Sequence, residues 1–197
     1  MQEFRIFTEG PGDVKFISDY VEEHFGIALN NSHFDVLKSW CGYKEADQMK
    51  TEILQNRDNG RETIIILDAD SDFITRQSEV LADFLSYNVP IHLFLFPNNA
   101  QTGTIENLLC EIAVEQSILR CFEQYETCIA GHESPVIKSK VFAYLDAILP
   151  SVNKRNNKND LIQEANRNYR NTAHWNLHHE YLQPLHGFLS PFFTEPT

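Results

Sequence analysis

The sequence predicts an α/β fold in which an open, mainly parallel sheet of four or slightly more strands carries helices on both faces. Two observations predict it. Short apolar runs typical of strands alternate four times with amphipathic runs typical of helices, at spacings that suit right-handed crossovers. One of the apolar runs, Ile-Ile-Ile-Leu at 64–67, contains no polar residue, which is typical of a parallel strand buried on both faces.

The first strand–helix unit spans residues 3–26. "EFRIFTEG" predicts a strand in which Phe4 and Ile6 alternate with Arg5 and Phe7. The amphipathic run "VKFISDYVEEHFG" follows the turn "PGD" and predicts a helix. Asp13 is predicted as its N-cap, and Gly26 is expected to close it.

The other units follow in the same order along the chain. The predicted strands are "HFDVLKSW" (33–40), "ETIIILDAD" (62–70) and "PIHLFLFP" (90–97). The predicted helices between and after them span residues 43–60, 75–88 and 103–125. Beyond these come a helix over 134–149, an Asn/Lys-rich loop, a short helix from Asp160 and an apolar tail, "YLQPLHGFLSPFF". This tail is too apolar to float free, so we expect it to pack back onto the domain.

The 197 residues are predicted to form one domain, with a core over about 1–130 and a helical extension over about 131–197. With 42% hydrophobic and 22% charged residues, the composition is that of a globular protein without a membrane-spanning tract. The start, "MQEFRIFTEG", lacks the layout of a secretory signal, so a cytoplasmic location is expected. The four cysteines show no zinc-type spacing and are expected to be reduced, mostly buried thiols.

The charge is strongly negative but uneven. A net charge of −12 argues against electrostatic binding of nucleic acid by the protein surface as a whole. Residues 138–170, however, hold 7 basic and 3 acidic side chains. This tract is either an ordinary solvated surface or a surface that faces phosphate.

Acidic residues follow two of the predicted strands. Glu9 closes the first strand, and Asp68 and Asp70 close the third. Positions i and i+2 of an extended segment point the same way, and the usual winding makes these two strands neighbours. Ligands of open α/β sheets bind beyond the carboxyl ends of the strands. We therefore expect the three carboxylates to converge on one small volume.

The residues after Glu9 suit close approach of a ligand to the backbone. The stretch "GPGD" contains Gly10 and Gly12, which lack side chains, and ends in Asp13. These three residues are candidate cofactor-binding residues.

Converging carboxylates either share protons or share a cation. Oxygen ligands suit Mg²⁺, with Mn²⁺ as an alternative, and no nitrogen or sulfur set that would suit zinc lies nearby. The alternative interpretation is that the acids only cap helices and solvate loops. The DxD after a buried strand, together with the strand-end Glu9, favours the metal site.

"FTEGPGDVKFI" followed by "IIILDADSD" resembles the Toprim domain, the fold shared by topoisomerases, primases and OLD-type nucleases. The resemblance places Glu9 at that family's glutamate and Asp68 and Asp70 at its DxD, with Asp72 as an additional acid. It implies a Rossmann-like sheet and Mg²⁺-dependent chemistry on nucleic acid.

The chain is more closely similar to small stand-alone bacterial Toprim-like proteins related to the OLD nuclease module. Three further stretches carry this resemblance: "FPNNAQTGTIENLL", "KSKVFAYL" and "WNLHHEYLQPLHGFL". It implies a role for Glu106 and for a lysine at the start of the helix that contains Lys138 and Lys140. A partner ATPase is also implied, because full OLD proteins carry an ATPase module.

Three further groups of side chains leave alternatives open. Glu106 is either a favourable acid in the first turn of a helix or a ligand of a second metal. Lys138 and Lys140 lie near a helix N-terminus, where cations are mildly unfavourable, so either could neutralise a phosphate. Arg76 is a second candidate for that role, or an ordinary exposed helix residue.

Other kinds of functional site are not supported by the sequence. His174, His178 and His179 are expected to pack among aromatic residues, because no carboxylate stands at a metal-ligand spacing. The absence of GxSxG, P-loop and GxGxxG motifs argues against acyl transfer, ATP binding and dinucleotide binding.

Two functional hypotheses result. The first is an Mg²⁺-dependent enzyme that cleaves phosphodiester bonds of nucleic acid. In it Glu9 is a ligand or a general acid/base, Asp68 and Asp70 are ligands, Glu106 is a second ligand, and a lysine neutralises phosphate. The second is a non-catalytic module that binds a nucleotide or nucleic acid or serves as a subunit of a partner ATPase; the net charge of −12 favours it.

Overall fold

The computed structural model describes residues 3–37, 46–86, 88–133, 135–149 and 162–194. Four parallel strands form one sheet in the order β2-β1-β3-β4. Their bounds are β1 Phe4–Thr8, β2 Phe34–Val36, β3 Glu62–Asp68 and β4 His92–Phe96. The predicted α/β class and the parallel four-stranded sheet are therefore confirmed.

Seven α-helices surround the sheet in the described part of the chain. Their bounds are α1 Pro11–Phe25, α2 Ala46–Asp58, α3 Phe73–Ser86, α4 Ile105–Ile112, α5 Gln116–Cys128, α6 Ile137–Ile148 and α7 Gln183–Phe193. Short 3₁₀ turns occur at Asn31–His33, Glu164–Asn166 and Glu180–Leu182. No helix within the described ranges is both long and apolar enough to cross a membrane.

The strand order creates a topological switch point. From β1 the chain moves to one side to form β2 and then returns past β1 to form β3 on the other side. β1 and β3 pair directly, with Ile6 opposite Ile64 and Thr8 opposite Ile66. The loops after β1 and β3 therefore diverge from neighbouring strand ends, which is where open α/β sheets bind ligands.

Helices cover both faces of the sheet, as predicted. Ile64 and Ile66 of β3 pack with side chains of α1, α4, α6 and α7, whereas Ile65 and Leu67 pack with side chains of α2 and α3. All four are completely buried, which confirms that β3 is a central strand buried on both faces.

The predicted N-cap of α1 is wrong by three residues. Gly10 is the N-cap, and Asp13 lies at the third helical position, where its carboxylate accepts the backbone N–H of Gly10. Pro11 explains the shift, because proline suits the first position of a helix and fixes where α1 begins. Gly26 ends the helix with a φ of 67°, as predicted.

The single helix predicted over 103–125 is also wrong, because the chain breaks between α4 and α5. Ala113 leaves helical geometry and forms an antiparallel bridge with Trp175. The backbone N–H of Val114 donates to the carbonyl of His174. The C-terminal segment thus takes hydrogen-bonding groups that a continuous helix would pair internally, and local periodicity does not reveal this.

The apolar tail packs back onto the domain. Leu185 and Leu189 of α7 are fully buried in the same core as α1 and α4. Trp175, 1% exposed, lies in this core as well. The predicted strand residues 38–40, the Asn/Lys-rich loop and the start of the helix at Asp160 lie outside the described residues, as does Cys41. The expected burial of the cysteines is wrong for Cys121 and Cys128, which are exposed, whereas Cys110 is half-buried.

Candidate functional site

A cavity of about 180 Å³ lies beyond the carboxyl ends of β1 and β3, and we call it the acid cavity. Five carboxylate side chains line it: Glu9, Asp13, Asp68, Glu106 and Glu164. Lys138, Arg167 and the ring of Tyr169 complete its polar wall. The two cationic side chains come from α6 and from the C-terminal segment, so the cavity joins the sheet to the extension.

Asp68 is the last residue of β3, and α4 fixes its side chain. Its Oδ1 accepts the backbone N–H of Ile105, the first residue of α4, at 2.9 Å. Burial, followed by the nearby carboxylates of Asp13 and Glu9, raises the pKa of Asp68 to about 9. Without a cation this carboxyl group is therefore protonated at neutral pH.

Glu9 follows β1 and forms an ion pair with Arg76 of α3, at 2.7 Å between Oε1 and Nη2. Arg76 also donates through Nε to the backbone carbonyl of Asp68 at 3.2 Å. Burial raises the pKa of Glu9 above its usual value, although the guanidinium opposes this. The predicted role of Arg76 as an exposed helix residue is excluded, since Arg76 is only 8% exposed and holds the β1 and β3 ends together.

Asp70 does not point into the acid cavity with Asp68, so the expected alternation fails here. β3 ends at Asp68, and Asp70 has a φ of 54°, in the left-handed region. Its backbone exchanges two hydrogen bonds with Gly103, at 2.9 and 2.7 Å. The Asp70 carboxylate is 58% exposed and lies 3.7 Å from Nη2 of Arg76.

Asp72 caps α3. Its carboxylate accepts the backbone N–H and the hydroxyl of Thr75, at 3.0 and 2.8 Å. These hydrogen bonds lower the pKa of Asp72. The side chain is exposed and is not among the residues that line the acid cavity. Its expected role as an additional ligand has no support in this geometry.

The segment "GPGD" contributes an acid and two glycines to the cavity wall. Asp13 is 8% exposed, and burial raises its pKa to about 7. The hydrogen bond from the Gly10 N–H opposes this shift. A Cβ at Gly12 would lie 3.0 Å from the Cβ of Glu164. The missing side chain of Gly12 therefore makes room for Glu164, whereas the sequence predicted room for a ligand.

Glu106 lies in the first turn of α4 and is 8% exposed. Its Oε2 accepts the hydroxyl of Thr104 at 2.7 Å. This places a fourth carboxylate of the sheet edge in the same cavity as Asp68.

The two lysines of α6 lie in different surroundings. Lys138 lines the acid cavity and forms an ion pair with Glu164. Lys140 pairs with Glu123 of α5 at 2.7 Å and does not line the cavity. Residues two apart on a helix project in nearly opposite directions, so only one of the two could face the site.

Three residues of the cavity are not predicted from the sequence: Glu164, Arg167 and Tyr169. Arg167 belongs to the basic tract over 138–170, but the local sequence does not distinguish it from the exposed Arg170. Arg167 is 2% exposed and Tyr169 is 1% exposed. Only the folding of the C-terminal segment against α1 brings them to the sheet edge, as when the Tyr169 N–H donates to Asp19 at 2.9 Å.

His174, His178 and His179 do not converge on a common point. The ring of His178 packs against His24 at 4.8 Å between centroids. His179 accepts the backbone N–H of Tyr181 at the start of a 3₁₀ turn. Asn171 contacts His174. These packing and capping contacts agree with the expected structural role.

Within the described residues, no three His, Cys, Asp or Glu side chains are arranged as a ready metal cage. The geometry explains this result in part, because Glu9 is turned onto Arg76 and one oxygen of Asp68 is used by the Ile105 N–H. Comparisons with protein-family models, with curated proteins and with solved structures found no match for this chain.

Proposed function

We propose that this protein is an Mg²⁺-dependent hydrolase of phosphodiester bonds in nucleic acid, with the acid cavity as its active site; Mn²⁺ is the alternative cation. The observation that supports this most strongly is the composition of that cavity. Carboxylates from the ends of β1 and β3 line one side, and Lys138 and Arg167 line the other. A site that binds a cation and a phosphate together needs carboxylates for the cation and basic side chains for the phosphate.

The donor set fits a hard divalent cation. Asp68, Glu106 and Glu9 offer only oxygen atoms, and Mg²⁺ in proteins commonly takes one or two carboxylates and completes its shell with water and phosphate. A cage of three protein ligands is therefore not required. Burial of Asp68 without a cation leaves it protonated, so a cation would replace a proton there. When bound, the cation would neutralise phosphate charge and activate water.

The chain's own residues supply orientation and charge. The Ile105 N–H fixes Asp68, and Arg76 fixes Glu9 at the neighbouring strand end. Lys138 lines the same cavity as its ion-pair partner Glu164. From there it would balance negative charge that develops on the phosphate. Asp70 and Asp72 stay outside this arrangement.

The resemblance to Toprim-like proteins supports the same proposal. The order of the strand-end acids, Glu9 and then Asp68, agrees with that family's motifs. The family's glutamate and first aspartate then correspond to residues that line one cavity at the switch point. We place the protein in the cytoplasm as part of this proposal.

Cleavage of plasmid DNA and of single-stranded DNA and RNA, with Mg²⁺ or Mn²⁺ and with chelator, tests the proposal. We expect Asp68→Asn and Glu9→Gln to lower the cleavage rate by at least about 100-fold. Asp72→Asn is the matched control, because it removes an acid of the same segment outside the cavity, and it should cut at the wild-type rate. Equal rates for all four proteins would contradict the proposal.

A second candidate is a non-catalytic module that binds a nucleotide or nucleic acid, alone or as the subunit of a partner ATPase. The Glu9–Arg76 ion pair favours it, because a guanidinium already neutralises one of the acids that a cation would need. Calorimetric titration with Mn²⁺ separates the two candidates. Heat of binding that disappears in Asp68→Asn supports the first, and absence of binding leaves only the second.

A further inference from the structure

Arg167 is a buried cation whose hydrogen bonds are incomplete. The residue is 2% exposed. Its Nε donates to the carbonyl of Ile162 at 3.0 Å, and its Nη1 contacts the hydroxyl of Tyr169 at 3.5 Å. Its Nη2 is buried and has no hydrogen-bond partner among the described residues. Buried arginine donors are ordinarily satisfied, because an unmade hydrogen bond of a charged group is costly.

The surroundings of Arg167 do not explain this open donor. The guanidinium carbon lies 5.5 Å from the centre of the Phe142 ring, a contact that stabilises the charge but accepts no directed hydrogen bond. Lys138 takes the Glu164 carboxylate as its ion-pair partner. The guanidinium is therefore held in place by Ile162 and Phe142, with one N–H edge unused.

This guanidinium stands at the acid cavity. Arg167 and its partner Tyr169 both line the cavity, and the charges of Glu164 and Asp13 act on the Tyr169 hydroxyl. With a volume of about 180 Å³, the cavity is smaller than the roughly 300–1,000 Å³ of pockets that enclose a whole small-molecule ligand. It suits a group of phosphate size and leaves the rest of a larger ligand outside.

We propose that Arg167 is a phosphate-binding residue: a phosphate group held in the acid cavity beside Lys138 would draw the buried Nη2 into a hydrogen bond with a non-bridging phosphate oxygen. The planar, permanently charged guanidinium is well suited to phosphate oxygens. Without a cation Asp68 is protonated, but the other acidic side chains of the cavity would still repel a phosphate, so phosphate should bind only together with Mg²⁺. For the identity of the anion, this inference rests on the proposed function.

Inorganic phosphate, titrated calorimetrically in the presence of Mg²⁺, is the probe. Arg167→Gln should weaken phosphate binding by about 10- to 100-fold, and Arg167→Lys should weaken it less, because the charge remains but the planar donor pair is lost. Arg170→Gln is the matched control. Arg170 has the same charge three residues away, pairs with Glu22 and Glu23, and does not line the cavity. It should bind phosphate as the wild type does.

A second measurement does not depend on the folding of Arg167→Gln. In wild-type protein labelled with ¹⁵N-arginine, phosphate with Mg²⁺ should shift one side-chain resonance, the one that is missing from the spectrum of Arg167→Lys. The shift should not appear with Mg²⁺ alone. An unshifted resonance, or phosphate affinity of the wild type equal to that of Arg167→Gln, would overturn the inference.

The failure of this inference differs from the failure of the proposed function. Cleavage of nucleic acid by the wild type, together with phosphate binding that does not depend on Arg167, overturns the inference and keeps the hydrolase. Phosphate binding that requires Arg167, in a protein that cleaves no nucleic acid with Mg²⁺ or Mn²⁺, supports the inference and overturns hydrolysis.

Discussion

The carboxylate of Glu9 and the guanidinium of Arg76 form an ion pair, with 2.7 Å between Oε1 and Nη2, across the ends of the two central strands. The same guanidinium donates to the Asp68 carbonyl and lies 3.7 Å from Asp70. Arg76 therefore balances part of the negative charge at the ends of these two strands.

Replacement of Arg76 by glutamine should make the site more attractive to a divalent cation. The substitution removes a positive charge beside Glu9. A neighbouring positive charge typically lowers the pKa of a carboxylate by about one unit or more. We expect Arg76→Gln to bind Mn²⁺ about tenfold more tightly than the wild type, as measured by calorimetry at pH 8. Arg57→Gln, at an exposed arginine paired with Asp58, should leave Mn²⁺ affinity unchanged. Unchanged or weaker Mn²⁺ binding by Arg76→Gln would mean that the guanidinium does not compete with the cation for Glu9.

Replacement of Asp68 by asparagine should stabilise the protein when no cation is present. Because the folded-state pKa of Asp68 is about 9, against 3.8 as its ordinary value, the folded chain binds more protons between these pH values. The stability contributed by the protonated form is complete below about pH 4 and is lost as the pH rises towards 9. Asparagine carries no such cost and keeps an oxygen for the Ile105 N–H.

Urea unfolding in the presence of chelator measures this effect. At pH 8 the free energy of unfolding of Asp68→Asn should exceed that of the wild type, by on the order of 1–3 kcal/mol, and the difference should vanish near pH 4. Asp72→Asn should act in the opposite direction at pH 8, because hydrogen bonds to Thr75 lower the pKa of Asp72. A wild type that is more stable than Asp68→Asn at pH 8 would contradict the buried, protonated state.

Sequence patterns predicted the positions of Glu9 and Asp68 because both depend on regular structure. The apolar run over 64–67 defines a central strand, and the usual winding of α/β chains makes it the neighbour of β1. Asp70 was misplaced for a local reason. The prediction extended the strand by two residues, whereas pairing with Gly103 turns the backbone into the left-handed region.

Arg167 could not be predicted, because its burial depends on contacts that are distant in sequence. The Tyr169 N–H donates to Asp19, 150 residues earlier, and the bridge between Trp175 and Ala113 interrupts what local periodicity predicts as one helix. The positions of the strand-end acids Glu9 and Asp68 can be predicted from the local pattern of strands and helices. Arg167 and Tyr169, on the opposite side of the cavity, are positioned by tertiary packing of the C-terminal segment, whose sequence shows no clear helix or strand periodicity.

Replacement of Gly103 by alanine should destabilise the loop that holds Asp70. Gly103 has a φ of 131°, and a Cβ there would lie 2.7 Å from Oδ1 of Asn107. That oxygen accepts the Thr104 N–H at the start of α4. We expect the free energy of unfolding to fall by about 1–3 kcal/mol. Gly187→Ala is the control, because a Cβ there meets nothing within 4 Å inside α7, and it should gain about 0.5–1 kcal/mol. Equal stability of Gly103→Ala and wild type would contradict the strain.

His24 should make the protein less stable in mild acid. Burial, and then the neighbouring His178 and His186, lower the pKa of His24 below 6.5, while its Nε2 contacts the carbonyl of Leu177 at 2.9 Å and Glu23 opposes the shift. A lowered folded-state pKa means that the unfolded chain binds the proton more readily. Stability is therefore present above about pH 6.5 and is lost as the pH falls through that value and below it.

Urea unfolding at pH 7.5 and at pH 5 measures the contribution of His24. The loss of unfolding free energy between these pH values should be smaller in His24→Gln, which keeps a donor for the Leu177 carbonyl but does not titrate. His132→Gln, at an exposed histidine, should behave as the wild type does. An unchanged loss in His24→Gln would remove His24 as its source.

Lys138 and Lys140 provide a matched pair for the role of α6, because they have equal charge and lie two residues apart. Lys138 lines the acid cavity beside Glu164, whereas Lys140 is paired with Glu123 on α5. If Lys138 balances charge on a bound phosphate, Lys138→Gln should lower the rate of Mg²⁺-dependent cleavage by about 10- to 100-fold. Lys140→Gln should cleave at close to the wild-type rate, since Lys140 does not line the cavity. Single-turnover cleavage rates at saturating protein measure the difference without a contribution from substrate affinity. A larger loss in Lys140→Gln than in Lys138→Gln would mean that α6 presents its other face to the substrate, and the acid cavity would then not be the place of reaction.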